Sequence, residues 1–103
     1  MINDEIIELK DRFVEELSPE KIYLFGSCAD DTCTADSDYD FYIVIDDNTD
    51  SVIEVTTRAY ASVREIKQRP VDILVRKHSH FENRKNMPTI EQEVFKKGIL
   101  LYG

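Results

Sequence analysis

The stretch Ile22–Asp46, IYLFGSCADDTCTADSDYDFYIVID, decides the fold and holds most of the candidate functional residues. A short apolar run over 22–25 ends at Gly26-Ser27, and ten small or polar residues follow before Asp38 and Asp40 open a second apolar run. Short apolar runs separated by turn-forming residues predict a strand, a turn, a loop and a second strand.

Asp38 and Asp40 are two positions apart at the start of the second predicted strand. Residues i and i+2 of a strand point to the same face, so the two carboxylates lie side by side while Tyr39 faces the other way. Neighbouring carboxylates repel each other and lose hydration unless a cation compensates them. Because hard oxygen ligands suit Mg²⁺ or Mn²⁺, the pair predicts a divalent metal site.

Gly26 and Ser27 stand where the first predicted strand ends. A glycine there lets the backbone turn sharply and approach a ligand closely, and a serine offers a hydroxyl and an amide to a phosphate. Phosphate contacts on one side and metal ligands on the other predict a site for a nucleoside triphosphate.

A third strand is predicted over 71–75, and it contains Asp72 between apolar residues. A carboxylate that is buried in such a run must be compensated. Asp72 is therefore either a third metal ligand or a residue of an edge strand that points at water.

The pattern Gly26-Ser27, ten residues, Asp38-x-Asp40 resembles the signature of the nucleotidyltransferase superfamily typified by DNA polymerase beta and kanamycin nucleotidyltransferase. The run 70–75 is similar to the strand that carries the third carboxylate of that family, which gives Asp72. The short length resembles its minimal nucleotidyltransferase branch, whose members are commonly encoded beside a HEPN-domain partner.

This resemblance implies a single minimal nucleotidyltransferase domain over residues 1–103, with an α/β (α+β) fold in which helices flank a small mixed sheet. It implies that Asp38, Asp40 and Asp72 are the catalytic residues and hold two Mg²⁺ ions, with Mn²⁺ as a possible replacement. Asp72 also helps to deprotonate the acceptor hydroxyl. Gly26 and Ser27 position the phosphates of the substrate ATP.

The resemblance further implies an antitoxin enzyme that transfers AMP from ATP to a tyrosine hydroxyl of a HEPN-domain toxin, in a hetero-oligomer with that toxin. One alternative is a non-catalytic subunit that neutralises the toxin by binding it, and a weaker one is a small-molecule nucleotidyltransferase. This sequence departs from the family after the serine, where many relatives have a basic residue and this chain has Cys28, followed by Asp30 and Asp31. The departure predicts weaker ATP binding or slower turnover.

Composition excludes some classes of function. With 103 residues and a formal net charge of −8, the chain lacks the basic surplus with which proteins neutralise nucleic-acid phosphates. No apolar stretch approaches the length of a membrane span, and the N-terminus lacks the features of a signal peptide. We expect a cytoplasmic protein that binds neither nucleic acid directly nor membrane.

The two cysteines, Cys28 and Cys33, both lie in the loop before the aspartates. In a reducing cytoplasm they are expected to be thiols. A zinc site that combines them with His78 and His80 is conceivable, but the spacing of the histidines is not that of a zinc finger, and exposed histidines are the preferred interpretation.

Periodicity predicts the remaining elements. Helices are expected over 3–17, 51–68 and 89–97, and strands over 22–25, 39–45, 71–75 and 99–102. Residues 76–88 hold the main basic cluster, Arg76, Lys77, Arg84 and Lys85, which either contacts phosphate or an acidic partner or forms a solvated face.

Overall fold

The computed structural model describes residues 2–103 and contains one mixed four-stranded sheet. In chain order the elements are α1 (Asp4–Leu17), β1 (Lys21–Phe25), β2 (Tyr39–Ile45), α2 (Val52–Val63), β3 (Val71–Lys77), α3 (His78–Arg84), α4 (Ile90–Lys97) and β4 (Ile99–Tyr102). The strand order is β3-β2-β1-β4, with β1 antiparallel to β2 and β4, and β2 parallel to β3. No helix within residues 2–103 is long and apolar enough to cross a membrane. The predicted mixed sheet with flanking helices is confirmed.

Helix α1 forms as its sequence predicts. The Asn3 side chain accepts a hydrogen bond from the Ile6 amide at 2.8 Å, which satisfies one of the free amides of the first turn. The helix ends at Ser18, which has the left-handed conformation with φ 47° and precedes a proline. The face formed by Ile6, Leu9 and Phe13 is buried against the sheet.

Helix α2 is shorter than predicted. Ser51 caps it by accepting from the Glu54 amide at 3.1 Å, but it ends at Val63 rather than near residue 68. The segment after Val63 must turn back to reach β3, and the Gln68 amide donates to the Glu5 carboxylate at 2.6 Å instead of continuing the helix. This tertiary contact overrides the helical periodicity that continues to Ile66 in the sequence.

The sheet is covered on both faces. Helices α1 and α2 pack on one face over the larger part of the core, and α3 and α4 pack on the other. Helix α3 was not predicted, because its segment was interpreted only as a basic cluster. It forms around Phe81, which is 1% exposed and whose ring lies 5.5 Å from that of Tyr23 and 5.4 Å from that of Tyr42.

A buried polar cluster attaches α3 and α4 to the sheet. The Tyr42 hydroxyl donates to Glu91 Oε2 at 2.8 Å, and Arg84 Nε donates to Glu91 Oε1 at 3.0 Å. Glu91 is only 2% exposed. Burial raises the pKa of the Glu91 carboxyl, but the hydrogen bonds from Tyr42 and Arg84 outweigh it, so that the net direction is downward. Glu91 is therefore held as a carboxylate beneath the two helices.

Replacing Tyr42 with phenylalanine is expected to lower the free energy of unfolding by about 1–2 kcal/mol, because it leaves a buried carboxylate short of one hydrogen bond. Urea unfolding followed by circular dichroism measures the change. Tyr102→Phe is the matched control, since Tyr102 is 38% exposed at the sheet edge and its substitution should leave the midpoint unchanged. Equal midpoints for the two variants would contradict a stabilising role for the cluster.

Candidate functional site

Asp40 and Asp72 are direct neighbours across the β2–β3 ladder. The register of the two parallel strands pairs Asp40 with Asp72, so both side chains leave the same face of the sheet. Burial, followed by the negative charges of Asp72 and Asp38, raises the pKa of Asp40 to about 6. The structure thus brings together two carboxylates that are 32 positions apart in the sequence.

Asp38 lies one residue before β2 and is exposed. Its negative charge nevertheless acts on Asp40 and contributes to the raised pKa of that carboxyl. Within residues 2–103, however, no three carboxylate, imidazole or thiol groups already converge as a set of metal ligands. Asp40 and Asp72 face each other, and the charge of Asp38 acts on Asp40, but the three carboxylates do not form a ready set of metal ligands.

Asp72 lies on an edge strand and is exposed, as the alternative interpretation of this residue had it. Because Asp72 is exposed, its charge does not by itself require compensation. Asp72 nevertheless lies directly opposite Asp40, where the two carboxylates repel each other and Asp72 contributes nothing to the core. This placement favours a functional role.

Gly26 packs directly against the Asp40 carboxylate. Its φ is +74°, a conformation that favours glycine, and it follows Phe25, which pairs with Asp40 in the β1–β2 ladder. A Cβ at Gly26 would lie 2.3 Å from Asp40 Oδ2. The glycine of the sequence pattern is therefore required by the close approach of the turn to the aspartate.

Ser27 belongs to a short 3-10 turn, Gly26–Cys28, that directly follows β1. The carbonyl of Ser27 accepts from the Thr32 amide at 3.1 Å, and the carbonyl of Gly26 accepts from the Ala29 amide at 3.0 Å. These bonds fold the start of the loop back on itself. The half-buried Ser27 is thereby held beside Gly26, at the edge of the aspartate group.

Cys28 points into the core rather than toward the aspartates. It is 0% exposed, and its thiol donates a weak hydrogen bond to the Asp38 carbonyl at 3.6 Å. Burial, together with the neighbouring Cys33, raises the pKa of the Cys28 thiol to about 11. The structure changes the interpretation of this departure from the family, because the cysteine occupies an inward position that supports the backbone of Asp38.

The zinc alternative finds no support within the described part of the chain. His78 lies on α3 with Nδ1 2.7 Å from Glu20 Oε1, and His80 Nε2 lies 3.5 Å from Glu91. Both histidines are exposed, and no histidine–cysteine metal cluster forms among residues 2–103. The cysteines are not joined in a disulfide.

Two of the predicted basic residues are used inside the fold. Arg84 binds Glu91, and Lys85 pairs with Glu82 at 2.8 Å while its Nζ lies 4.6 Å from the centre of the Phe95 ring. Arg69 was not predicted to have a role, yet its guanidinium binds the backbone of the loop before Asp38. No sequence signal marks such a residue, since its partners are main-chain carbonyls.

Comparison with known proteins identifies the family and the fold of this chain. The family model described as "Polymerase beta, Nucleotidyltransferase" matches residues 7–103. No curated protein matches the chain significantly.

Among solved structures, a toxin-antitoxin crystallised with AMP-PNP is similar with a TM-score of 0.60 and 22% identity, over 98% of this chain and 74% of that one. A proposed nucleotidyltransferase from Sulfolobus solfataricus is similar with a TM-score of 0.55 and 22% identity, over 91% of this chain and 77% of that one. At this level of identity the two likenesses establish the fold. The family match and the fold together show that the chain belongs to the polymerase beta nucleotidyltransferase family.

Proposed function

We propose that this protein transfers a nucleotide from a nucleoside triphosphate to an acceptor hydroxyl, at the site formed by Asp38, Asp40 and Asp72. The observation that carries the proposal is the placement of Asp40 directly opposite Asp72 and against Gly26. The facing carboxylates repel each other in the absence of a cation, and the turn at Gly26 lies directly beside the Asp40 carboxylate.

Asp38, Asp40 and Asp72 are the residues that fit the divalent cations of this reaction. When bound, Mg²⁺ supplies positive charge that offsets the charge of the triphosphate and lowers the pKa of the acceptor hydroxyl. Asp72, the more exposed member of the facing pair, is open to the acceptor from solvent. The Ser27 hydroxyl and the turn at Gly26 orient the β- and γ-phosphates.

The transfer itself conserves atoms and charge. The acceptor oxygen forms a new bond to the α-phosphorus of ATP, the bond between that phosphorus and the oxygen bridging to the β-phosphate breaks, and pyrophosphate leaves. Asp72 takes the proton of the acceptor hydroxyl. The product is an AMP ester of the acceptor.

For the acceptor we propose a tyrosine hydroxyl of a HEPN-domain toxin, which makes this protein an antitoxin within a hetero-oligomer. Two observations support this choice: the sequence pattern resembles the minimal branch of the family, and the fold is similar to that of a toxin-antitoxin crystallised with AMP-PNP. Exposed apolar side chains on α4 and β4, Phe95, Leu100 and Tyr102, are available to contact a partner.

The second candidate function is neutralisation of the toxin by binding alone. Two observations favour it over a catalytic function: the loop after Ser27 carries the exposed Asp30 and Asp31, and the three site carboxylates do not form a closed ligand set. Anionic residues at the mouth of a triphosphate site oppose ATP binding, whereas a net charge of −8 favours a basic partner surface.

Incubation of the protein with labelled ATP, Mg²⁺ and a HEPN-domain toxin as the proposed partner distinguishes these functions. Wild type is expected to label a tyrosine of the partner, found by mass spectrometry, and Asp38→Asn to lower the rate at least ~100-fold because it removes one of the metal ligands. Asp36→Asn is the control, since Asp36 forms a second Asp-x-Asp sequence with Asp38, is exposed, and is not one of the proposed metal ligands. If wild type transfers no label and both variants still neutralise the toxin, the enzymatic function is wrong and the binding function stands.

A further inference from the structure

Arg69 connects the loop before Asp38 to the strand that carries Asp72. Its Nη1 donates to the carbonyl of Thr34 at 2.9 Å and to the carbonyl of Ser37 at 3.2 Å. Ser37 directly precedes Asp38, and Arg69 itself stands three residues before Asp72. The Arg69 side chain thus connects the backbone segment directly before Asp38 with the segment directly before β3, which carries Asp72.

The guanidinium of Arg69 is itself held in place. Its Cζ lies 4.5 Å from the centre of the Tyr39 ring, and its Nε lies 4.0 Å from Glu5 Oε1. The Tyr39 hydroxyl donates to the same Glu5 oxygen at 2.9 Å and accepts from Asn3 Nδ2 at 3.0 Å. A planar guanidinium that stacks on an aromatic ring and binds two acceptors is fixed more firmly than a flexible ammonium.

The network around Tyr39 lies on the face of the sheet opposite to the candidate site. Tyr39 points to the face covered by α1, opposite to the face from which Asp40 and Asp72 project, and its side chain is 1% exposed. Because Arg69 binds the main-chain carbonyls of Thr34 and Ser37, we expect its effect on the site to be exerted through the backbone.

Asp38 needs such support because it lies outside the regular ladder of β2. The turn before it is closed by local bonds, from the Ser37 amide to the Thr34 carbonyl at 3.1 Å and from the Thr34 amide to the Ser37 hydroxyl at 2.9 Å. Those bonds fix the shape of the turn but not its position relative to β3. That position depends on Arg69 and on the bond from the Tyr39 amide to the Pro70 carbonyl at 3.1 Å.

We propose that Arg69 is a positioning residue that sets the placement of Asp38 relative to Asp72, and through it the affinity of the site for divalent cations. The inference rests on the proposed function, since it assumes that these aspartates bind metal. Partners that orient metal ligands change metal affinity by roughly 10–100-fold when they are removed.

Titration with Mn²⁺ alone, followed by the electron paramagnetic resonance of the free ion, tests this role without reference to activity. Arg69→Ala is expected to weaken Mn²⁺ binding about 10-fold or more. Arg69→Lys should fall between this variant and wild type, because an ammonium keeps the charge near Tyr39 but does not reproduce the fixed guanidinium. Hydrogen exchange should show faster exchange of the Ser37 and Tyr39 amides in Arg69→Ala.

Arg12→Ala is the matched control, because Arg12 also donates a guanidinium hydrogen bond to a carbonyl, that of Ser62 at 3.1 Å, between α1 and α2 and away from the aspartates. The Arg12→Ala variant should bind Mn²⁺ as tightly as wild type, even if the substitution lowers its melting temperature. If Arg69→Ala and Arg69→Lys both bind Mn²⁺ as tightly as Arg12→Ala, Arg69 is only structural and the inference is wrong. If wild type does not bind Mn²⁺, or if Asp40→Asn does not remove that binding, the metal-dependent function is wrong. The inference, which rests on that function, is then wrong as well.

Discussion

Asp40→Asn is expected to lower the rate of nucleotidyl transfer at least ~1,000-fold and, at the same time, to stabilise the metal-free protein. Asp40 is the central member of the site, since it faces Asp72, packs against Gly26 and experiences the charge of Asp38. An asparagine has nearly the same shape but offers a cation one neutral oxygen instead of a carboxylate. Transfer from labelled ATP measures the first effect, and thermal unfolding in EDTA measures the second.

The gain in stability follows from the direction of the pKa shift. The folded-state pKa of Asp40 is raised from 3.8 to about 6, so the folded protein favours the protonated form more than the unfolded chain does. Stability is therefore lost as the pH rises between these values, and at pH 7 the full cost is present. After allowance for screening by solvent, we expect Asp40→Asn to recover on the order of 1 kcal/mol at pH 7 and almost nothing at pH 3.

Asp36→Asn is the control for both measurements, because Asp36 is exposed and does not contribute to the pKa shift of Asp40. Its transfer rate and its melting temperature should match those of wild type at each pH. An Asp40→Asn protein that melts below wild type at pH 7 in EDTA would show that the carboxylate stabilises the fold and that the site is not strained in the absence of metal.

The sequence predicted the parts of this site that depend on short-range geometry. The i, i+2 spacing of Asp38 and Asp40 and the turn at Gly26 follow from strand periodicity and backbone freedom, and the structure contains both. Asp72 was assigned by resemblance to a family, because a residue that is distant in sequence acquires a neighbour only through strand register. The register also supplies the reason for Gly26, a contact with Asp40 that the pattern alone did not indicate.

Features that depend on tertiary contacts were not predictable in the same way. Helix α3 forms because Phe81 fills a space above Tyr23 and Tyr42, whereas its own sequence shows mainly charge. The inward orientation of Cys28 depends on the 3-10 turn, Gly26–Cys28, of which it is the last residue. Arg69 acts on main-chain carbonyls, and no residue type at any spacing identifies such acceptors in advance.

Gly26→Ala is expected to reduce transfer at least ~100-fold and to destabilise the protein by roughly 2–3 kcal/mol. About 1 kcal/mol of this loss arises because an alanine at φ +74° adopts the left-handed conformation. The remainder arises because the new Cβ, 2.3 Å from Asp40 Oδ2, forces the carboxylate away from its position beside Asp72. Label transfer and urea unfolding measure the two effects.

A double-mutant cycle with Asp40→Ala separates the two causes. Removing the Asp40 carboxylate removes the clash but not the backbone strain, so Gly26→Ala should cost only about 1 kcal/mol in the Asp40→Ala background. Gly98→Ala provides the comparison, because a Cβ there would meet the Val94 carbonyl at 2.4 Å, and its cost should be the same with either residue at position 40. If Gly26→Ala costs the same in both backgrounds, the contact between the turn and the aspartate carries no energy. The requirement for glycine at position 26 would then arise from the backbone conformation of the turn alone.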